Sequence, residues 1–122
     1  MSKTILIVDD SASLRQVLSI TLRGAGHTVV EACDGDDALS KLDGRKYHLI
    51  ISDVNMPKLD GIAFVKAAKQ LPAYKFTPIV MLTTEASDAR KAAGQAAGAR
   101  AWIVKPFQPE TVLNAVAKLI LP

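Results

Sequence analysis

Short apolar runs and helical spacings alternate five times along this chain. Ile5 to Val8 is a continuous apolar run, and Leu14, Val17, Leu18, Thr21 and Leu22 then follow i, i+3, i+4, i+7 spacing, which predicts a strand followed by an amphipathic helix. Ser11 or Ser13 can cap that helix, and Gly24 and Gly26 end it before a second strand, Thr28 to Ala32. A short helix, Asp36 to Leu42, sets Ala38, Leu39 and Leu42 on one face and stops at Asp43-Gly44. The third strand, Leu49 to Ser52, leads into a loop from Asp53 to Asp60, and helical spacing resumes with Ile62, Val65, Ala67 and Ala68 until Pro72 ends it. Pro78 to Leu82 is the fourth strand. The fourth helix, Asp88 to Gln95, offers only Ala89, Ala92, Ala93 and Ala96, a face that sits close but buries little area, so it is expected to be the least firmly held. Ala101 to Val104 is the fifth strand. A last helix, Glu110 to Leu119 with Pro109 near its first turn, turns Val112, Leu113, Val116 and Leu119 or Ile120 inward.

Five such units in 122 residues predict one α/β domain spanning the whole chain, a five-stranded parallel sheet with helices on both faces. A closed eight-stranded barrel needs about twice the length. Composition agrees with this: 49% hydrophobic and 22% charged residues fit one domain with a real core, and a mean hydropathy of +0.19 suits strands buried on both faces. The longest apolar runs are four or five residues, so no membrane span is expected, and Asp9 and Asp10 interrupt any signal-peptide core. A cytoplasmic protein is expected. Cys33 is the only cysteine, which excludes an intrachain disulfide and a thiolate cluster; its expected role is a small buried apolar filler. The net charge of +3 comes from Lys and Arg spread along the chain without an aromatic platform, which argues against nucleic acid. The positive balance instead favours steering of an acidic partner peptide.

A parallel sheet brings its strand C-termini to one edge, where an open sheet binds its ligands near the switch in strand order. Asp9 and Asp10 follow the first run, Asp53 and Asn55 the third, Thr83 the fourth and Lys105 the fifth. Crowded carboxylates repel unless a cation joins them. With no Cys or His at those strand ends, an oxygen site for Mg²⁺ or Mn²⁺ fits better than one for Zn²⁺. A carboxylate can also be a phosphoryl acceptor, with a lysine and a hydroxyl opposite to stabilise the charge, and Asp53, Lys105 and Thr83 are the candidates. Singly, each residue has a plainer role: Asp9 or Asp10 as a helix cap, Asp53 and Asp60-Gly61 as turn residues, Thr83-Thr84 as a strand end. Their joint occurrence at four strand ends favours a site. His27 and His48, at the opposite edge without acidic partners, read as surface or satisfied histidines.

With VDDS at Val8 to Ser11, DVNMPKLDG at Asp53 to Gly61, MLTTEA at Met81 to Ala86 and VKPF at Val104 to Phe107, the chain resembles the receiver domains of two-component response regulators, single-domain chemotaxis type, from Lys3 to about Ile120. The resemblance implies a flavodoxin-like sheet of order 2-1-3-4-5, with the switch between strands one and three. It implies Asp53 as phosphoacceptor, Asp10 and Asp53 as metal carboxylates, Asp9 acting through water and Asn55 through its backbone carbonyl. It also implies that Thr83 and Lys105 meet the phosphoryl group, and that Pro106 follows a cis peptide bond aiming Lys105. Trp102 stands where the family has the aromatic that moves with Thr83, and Trp102, Thr83, Ala89, Ala93 and Val112 mark the expected switch and partner face. Implied partners are a sensor histidine kinase, a target such as a flagellar motor switch protein, and a phosphatase, with the protein itself a monomer. The chain ends soon after the last helix, so no output domain is expected. A phosphate sink or relay intermediate would keep the same pocket. A haloacid dehalogenase-type phosphatase would need a second Asp where Asn55 stands, so no turnover enzyme is expected.

Overall fold

The computed structural model describes residues 3–54, 56, 59–83, 88–105 and 107–120, and of residues 88–91 the backbone alone. The elements are β1 (Thr4–Val8), α1 (Ala12–Gly24), β2 (Thr28–Ala32), α2 (Gly35–Lys41), β3 (Leu49–Asp53), α3 (Gly61–Gln70), β4 (Ile79–Thr83), α4 (Asp88–Ala97), β5 (Ala101–Val104) and α5 (Pro109–Leu119). All strand pairs are parallel, in the order β2-β1-β3-β4-β5. One turn of 3₁₀ helix, Pro72–Tyr74, separates α3 from β4, because Pro72 cannot extend α3 yet starts a new turn.

Local chemistry sets the helix ends. Ser11, not Ser13, caps α1, its Oγ accepting from Leu14 N at 3.3 Å. Asp34 and Asp60 cap α2 and α3 by accepting from Asp37 N at 2.7 Å and Ala63 N at 2.8 Å. At the end of α1, Gly26 takes φ 94° while its N–H and that of His27 reach Arg23 O and Leu22 O, a Schellman closure that a side chain at Gly26 would strain.

The two-residue period of the strands divides the core in two. Ile5, Ile7, Ile51, Val80 and Leu82 face α1 and α5, meeting Leu18, Leu22, Val112 and Val116. Leu6, Val8, Ile50 and Met81 face the other way, toward Ala38, Phe64, Val65, Ala68 and Ala97 of α2, α3 and α4. Val112, expected on a partner face, is therefore core, 1% exposed. The inward face of α4 also differs from the alanine stripe. Ala92, Ala93 and Ala96 are exposed, whereas Gly94 and Ala97 are buried, and a Cβ on Gly94 would lie 2.3 Å from Trp102 Cζ3. Alanine is nearly indifferent to which side it shows, so the bulk of Trp102 decides the rotation by demanding a glycine.

Cys33 is exposed rather than a buried filler. It follows the edge strand β2, and the turn is fixed by its own N–H, which donates to Asp37 Oδ2 at 2.9 Å, leaving the thiol outside. His48 is satisfied, Nδ1 accepting from Thr4 N at 3.1 Å, whereas His27 Nδ1 is buried with no partner among the described residues.

Candidate functional site

The parallel register delivers the predicted groups to one edge. Asp9 follows β1, Asp53 and Thr83 end β3 and β4, and Lys105 follows β5, its N–H donating to Thr83 O at 2.7 Å. The β3–β4 ladder continues past Asp53 through Val54 N to Leu82 O at 3.0 Å, and Gly61 N then closes on Val54 O at 2.8 Å. Gly61 must lack a side chain here, since a Cβ would lie 2.1 Å from Asp53 O. The start of α3 is thereby pressed against the residue that carries the candidate carboxylate.

Asp9 is held on every side. Its N–H donates to Ala32 O at 3.1 Å, its Oδ1 accepts from Ser11 N at 2.8 Å, and its carbonyl accepts from Arg15 Nη1. Arg15 Nε in turn faces Glu31 Oε1 at 3.4 Å. Arg15 and Glu31 are positioning residues that no sequence pattern marked, because they meet only when α1 lies beside β2.

Lys105 Nζ stands between two carboxylates, 3.3 Å from Asp9 Oδ2 and 3.2 Å from Asp53 Oδ1. The exposed Asp10 completes the cluster, and ligand oxygens of Asp9, Asp10 and Asp53 all lie within 4.8 Å of one another. Three carboxylates around one ammonium leave the pocket negative. Burial chiefly, and the charge of Asp9 next, push the Asp53 carboxyl above the usual carboxylate range despite the opposing pull of Lys105. The oxygen-only donor set, free of Cys and His, fits a hard divalent cation that would relieve this charge. Thr83 is fully buried beside them. Trp102, in register with Met81, is half-buried against α4, its Nε1 buried without a partner among the described residues. Asn55, Thr84 and Pro106 lie outside the described residues, as does the side chain of Ala89.

A doubly wound sheet whose switch point gathers three aspartates and a lysine defines an α/β domain built to bind a cation at its strand C-termini. The chain belongs to the response regulator receiver domain family, whose family model matches residues 5–117. It is 43% identical over 122 residues to the alkaline phosphatase synthesis transcriptional regulatory protein PhoP of Bacillus subtilis, covering 99% of this chain but 49% of that one, about half its length. It is 50% identical to the chemotaxis protein CheY4 of Vibrio cholerae, with a TM-score of 0.94 over 98% of this chain and 99% of that one. The receiver domain of a sensor histidine kinase of Pseudomonas aeruginosa, solved with a magnesium ion coordinated in its active-site cleft, is 25% identical with a TM-score of 0.90, covering 98% of each chain. Among the described residues no helix is long and apolar enough to cross a membrane.

Proposed function

We propose that this chain is a Mg²⁺-dependent phosphoacceptor that receives a phosphoryl group on Asp53 from a phosphohistidine of a sensor kinase and signals by protein binding. The observation that carries the proposal is the Lys105 ammonium 3.2 Å from the buried Asp53 Oδ1 inside a partly buried, net-negative carboxylate cluster. A buried carboxylate with a lysine at hand is a nucleophile whose product charge is already met. An Asp53 oxygen forms the new O–P bond as the N–P bond of the phosphohistidine breaks, and the imidazole leaves. Lys105, until then shared between Asp9 and Asp53, pairs with the phosphoryl oxygens, and the Thr83 hydroxyl donates to them. Asp9, Asp10, Asp53 and the Asn55 carbonyl would hold a divalent cation, which when bound would neutralise charge for the incoming group; Mg²⁺, or Mn²⁺ as substitute, suits one or two carboxylates plus phosphate oxygens.

The added charge of about −1.5 to −2 draws the end of β4 and Lys105 inward and shifts Trp102 and α4, so that α4, β5 and α5 present a changed surface to a target protein. Ala93 lies on that surface; Val112 acts from beneath it. The likeness to a chemotaxis protein over nearly the whole of both chains supports a kinase of the chemotaxis type and a target such as a motor switch protein. The test is to add acetyl phosphate or beryllofluoride with and without Mg²⁺, following intact mass and the fluorescence of Trp102, the sole tryptophan. A metal-dependent response abolished in Asp53→Asn is expected. No response in the wild type would sink the proposal.

A further inference from the structure

The edge of the sheet away from the carboxylates carries the opposite charge. Each helix runs back against the strands, so Lys46 before β3, Lys75 before β4, Arg100 before β5 and Lys118 in the last turn of α5 collect at the strand N-termini. Among the described residues the acid that stands there, Asp43, is already engaged by Arg45, Nη2 to Oδ2 at 3.0 Å. Neighbouring groups register the field. Lys3 and Lys46 add to burial in holding His48 below the usual imidazole range, and Arg100 adds to burial in holding Lys69 below the usual ammonium range.

Helix C-termini attract cations, which accounts for Lys69 and Lys118. It does not account for an aromatic ring. Phe76 is 85% exposed and rims a groove of about 340 Å³ whose walls include Lys46, His48, Pro78, Arg100 and Ile120. The groove is preformed. Between the lining residues Ala73 and Phe76, the buried Tyr74 donates its hydroxyl to Arg45 O at 2.7 Å and accepts from Gly44 N at 2.9 Å, tying the loop before β3 to the turn before β4.

We propose that this groove docks an acidic protein segment carrying an apolar or aromatic anchor, on the face opposite the phosphoacceptor edge. Charge complementarity selects the acidic residues, and the concave apolar wall beside Phe76 takes the anchor. A bilayer surface would not enter a groove of side-chain size, and among the described groove residues a nucleic acid would meet one exposed ring, Phe76, rather than a set of stacking faces. The site is independent of phosphoryl chemistry, since none of its residues touches Asp53.

The test is an amide-shift titration of the full chain with a short synthetic peptide of glutamates flanking a Leu-Phe pair. Shifts should centre on His48, Thr77, Ile79 and Arg100 and persist in Asp53→Asn. Phe76→Ala, the pair Lys46→Glu with Arg100→Glu, and a peptide with glutamine for glutamate should each weaken binding roughly tenfold or more. Unchanged melting temperatures of these variants, all at exposed positions, would exclude unfolding as the cause. Absence of binding, shifts centred on the Asp53 edge or on α4, equal affinity of the variants, or stronger binding to phosphatidylserine vesicles or duplex DNA than to the peptide would each overturn the proposal.

Discussion

Replacing Lys105 by methionine keeps the length of its stem and removes the charge that two buried carboxylates share. Lys105 Nζ lies 3.3 Å from Asp9 Oδ2 and 3.2 Å from Asp53 Oδ1, and these aspartate side chains are 1% and 7% exposed. At an effective dielectric of about 20 each contact is worth roughly 5 kcal/mol before solvation is counted. Two effects reduce the net loss. The lysine no longer has to be stripped of water, and Asp53 can escape by taking a proton. Protonating a carboxyl with an ordinary value of 3.8 at neutral pH costs about 1.4 kcal/mol per pH unit, roughly 4 kcal/mol in all, and Asp53 is already raised above that value. Lys105→Met should therefore destabilise the metal-free protein by about 2–4 kcal/mol at neutral pH. With an unfolding entropy of about 2.1 cal/mol/K per residue, this lowers Tm by roughly 8–15 °C.

The assay is thermal unfolding in a chelator, repeated with Mg²⁺ and from neutral pH down to about pH 4. As pH falls through the raised Asp53 value, the carboxyl that Lys105 was balancing becomes neutral, so the gap between variant and wild type must close. Mg²⁺ should close it too, by supplying the missing positive charge. A gap that ignores both pH and Mg²⁺, or a variant as stable as the wild type, would refute the electrostatic role given to Lys105.

Asp53→Asn should raise the metal-free Tm at neutral pH by several degrees. A carboxyl raised on folding opposes folding once it ionises above 3.8, fully so above its folded value, and asparagine removes that opposition; the gain should vanish in acid and Mg²⁺ should no longer stabilise the variant. Gly94→Ala gains about 1 kcal/mol of helix propensity but places a Cβ 2.3 Å from Trp102 Cζ3. The clash should win, for a net loss of about 1–3 kcal/mol with a shifted Trp102 emission spectrum. Tyr74→Phe removes a buried hydroxyl bonded to both Gly44 and Arg45, and chemical denaturation should read a loss of about 1–3 kcal/mol at unchanged m-value.

Much of the candidate site was legible because its residues sit at fixed offsets from apolar runs. Asp9 comes one residue after Val8, Asp53 ends the run begun at Leu49, and Lys105 follows Val104, so recognising the strands located the carboxylates and the lysine at one edge. What supports them was not legible. Arg15 and Glu31 are joined only through the packing of α1 on β2, and the Tyr74 clamp spans 30 residues to Gly44. Where side chains carried little preference, the reading failed. An alanine-rich α4 fits the sheet in more than one rotation, and a Cys is small enough to sit in or out, whereas the helical spacing that turns Val112 inward agrees with its burial.

The alternation of strands and helices, their stops and the kinds of groups past each strand were written in the chain itself, because periodicity and turn chemistry act within a few residues, whereas the caps at Asp34 and Asp60 emerged with the fold. Packing in three dimensions was needed to bring Asp9 to Lys105 across 96 positions, to turn Gly94 rather than an alanine stripe toward Trp102, and to gather lysines and arginines scattered along the chain around Phe76. The reason is geometric. Parallel strands with returning helices send strand C-termini to one edge and helix C-termini to the other, so charges dispersed in one dimension are sorted into two opposed poles in three.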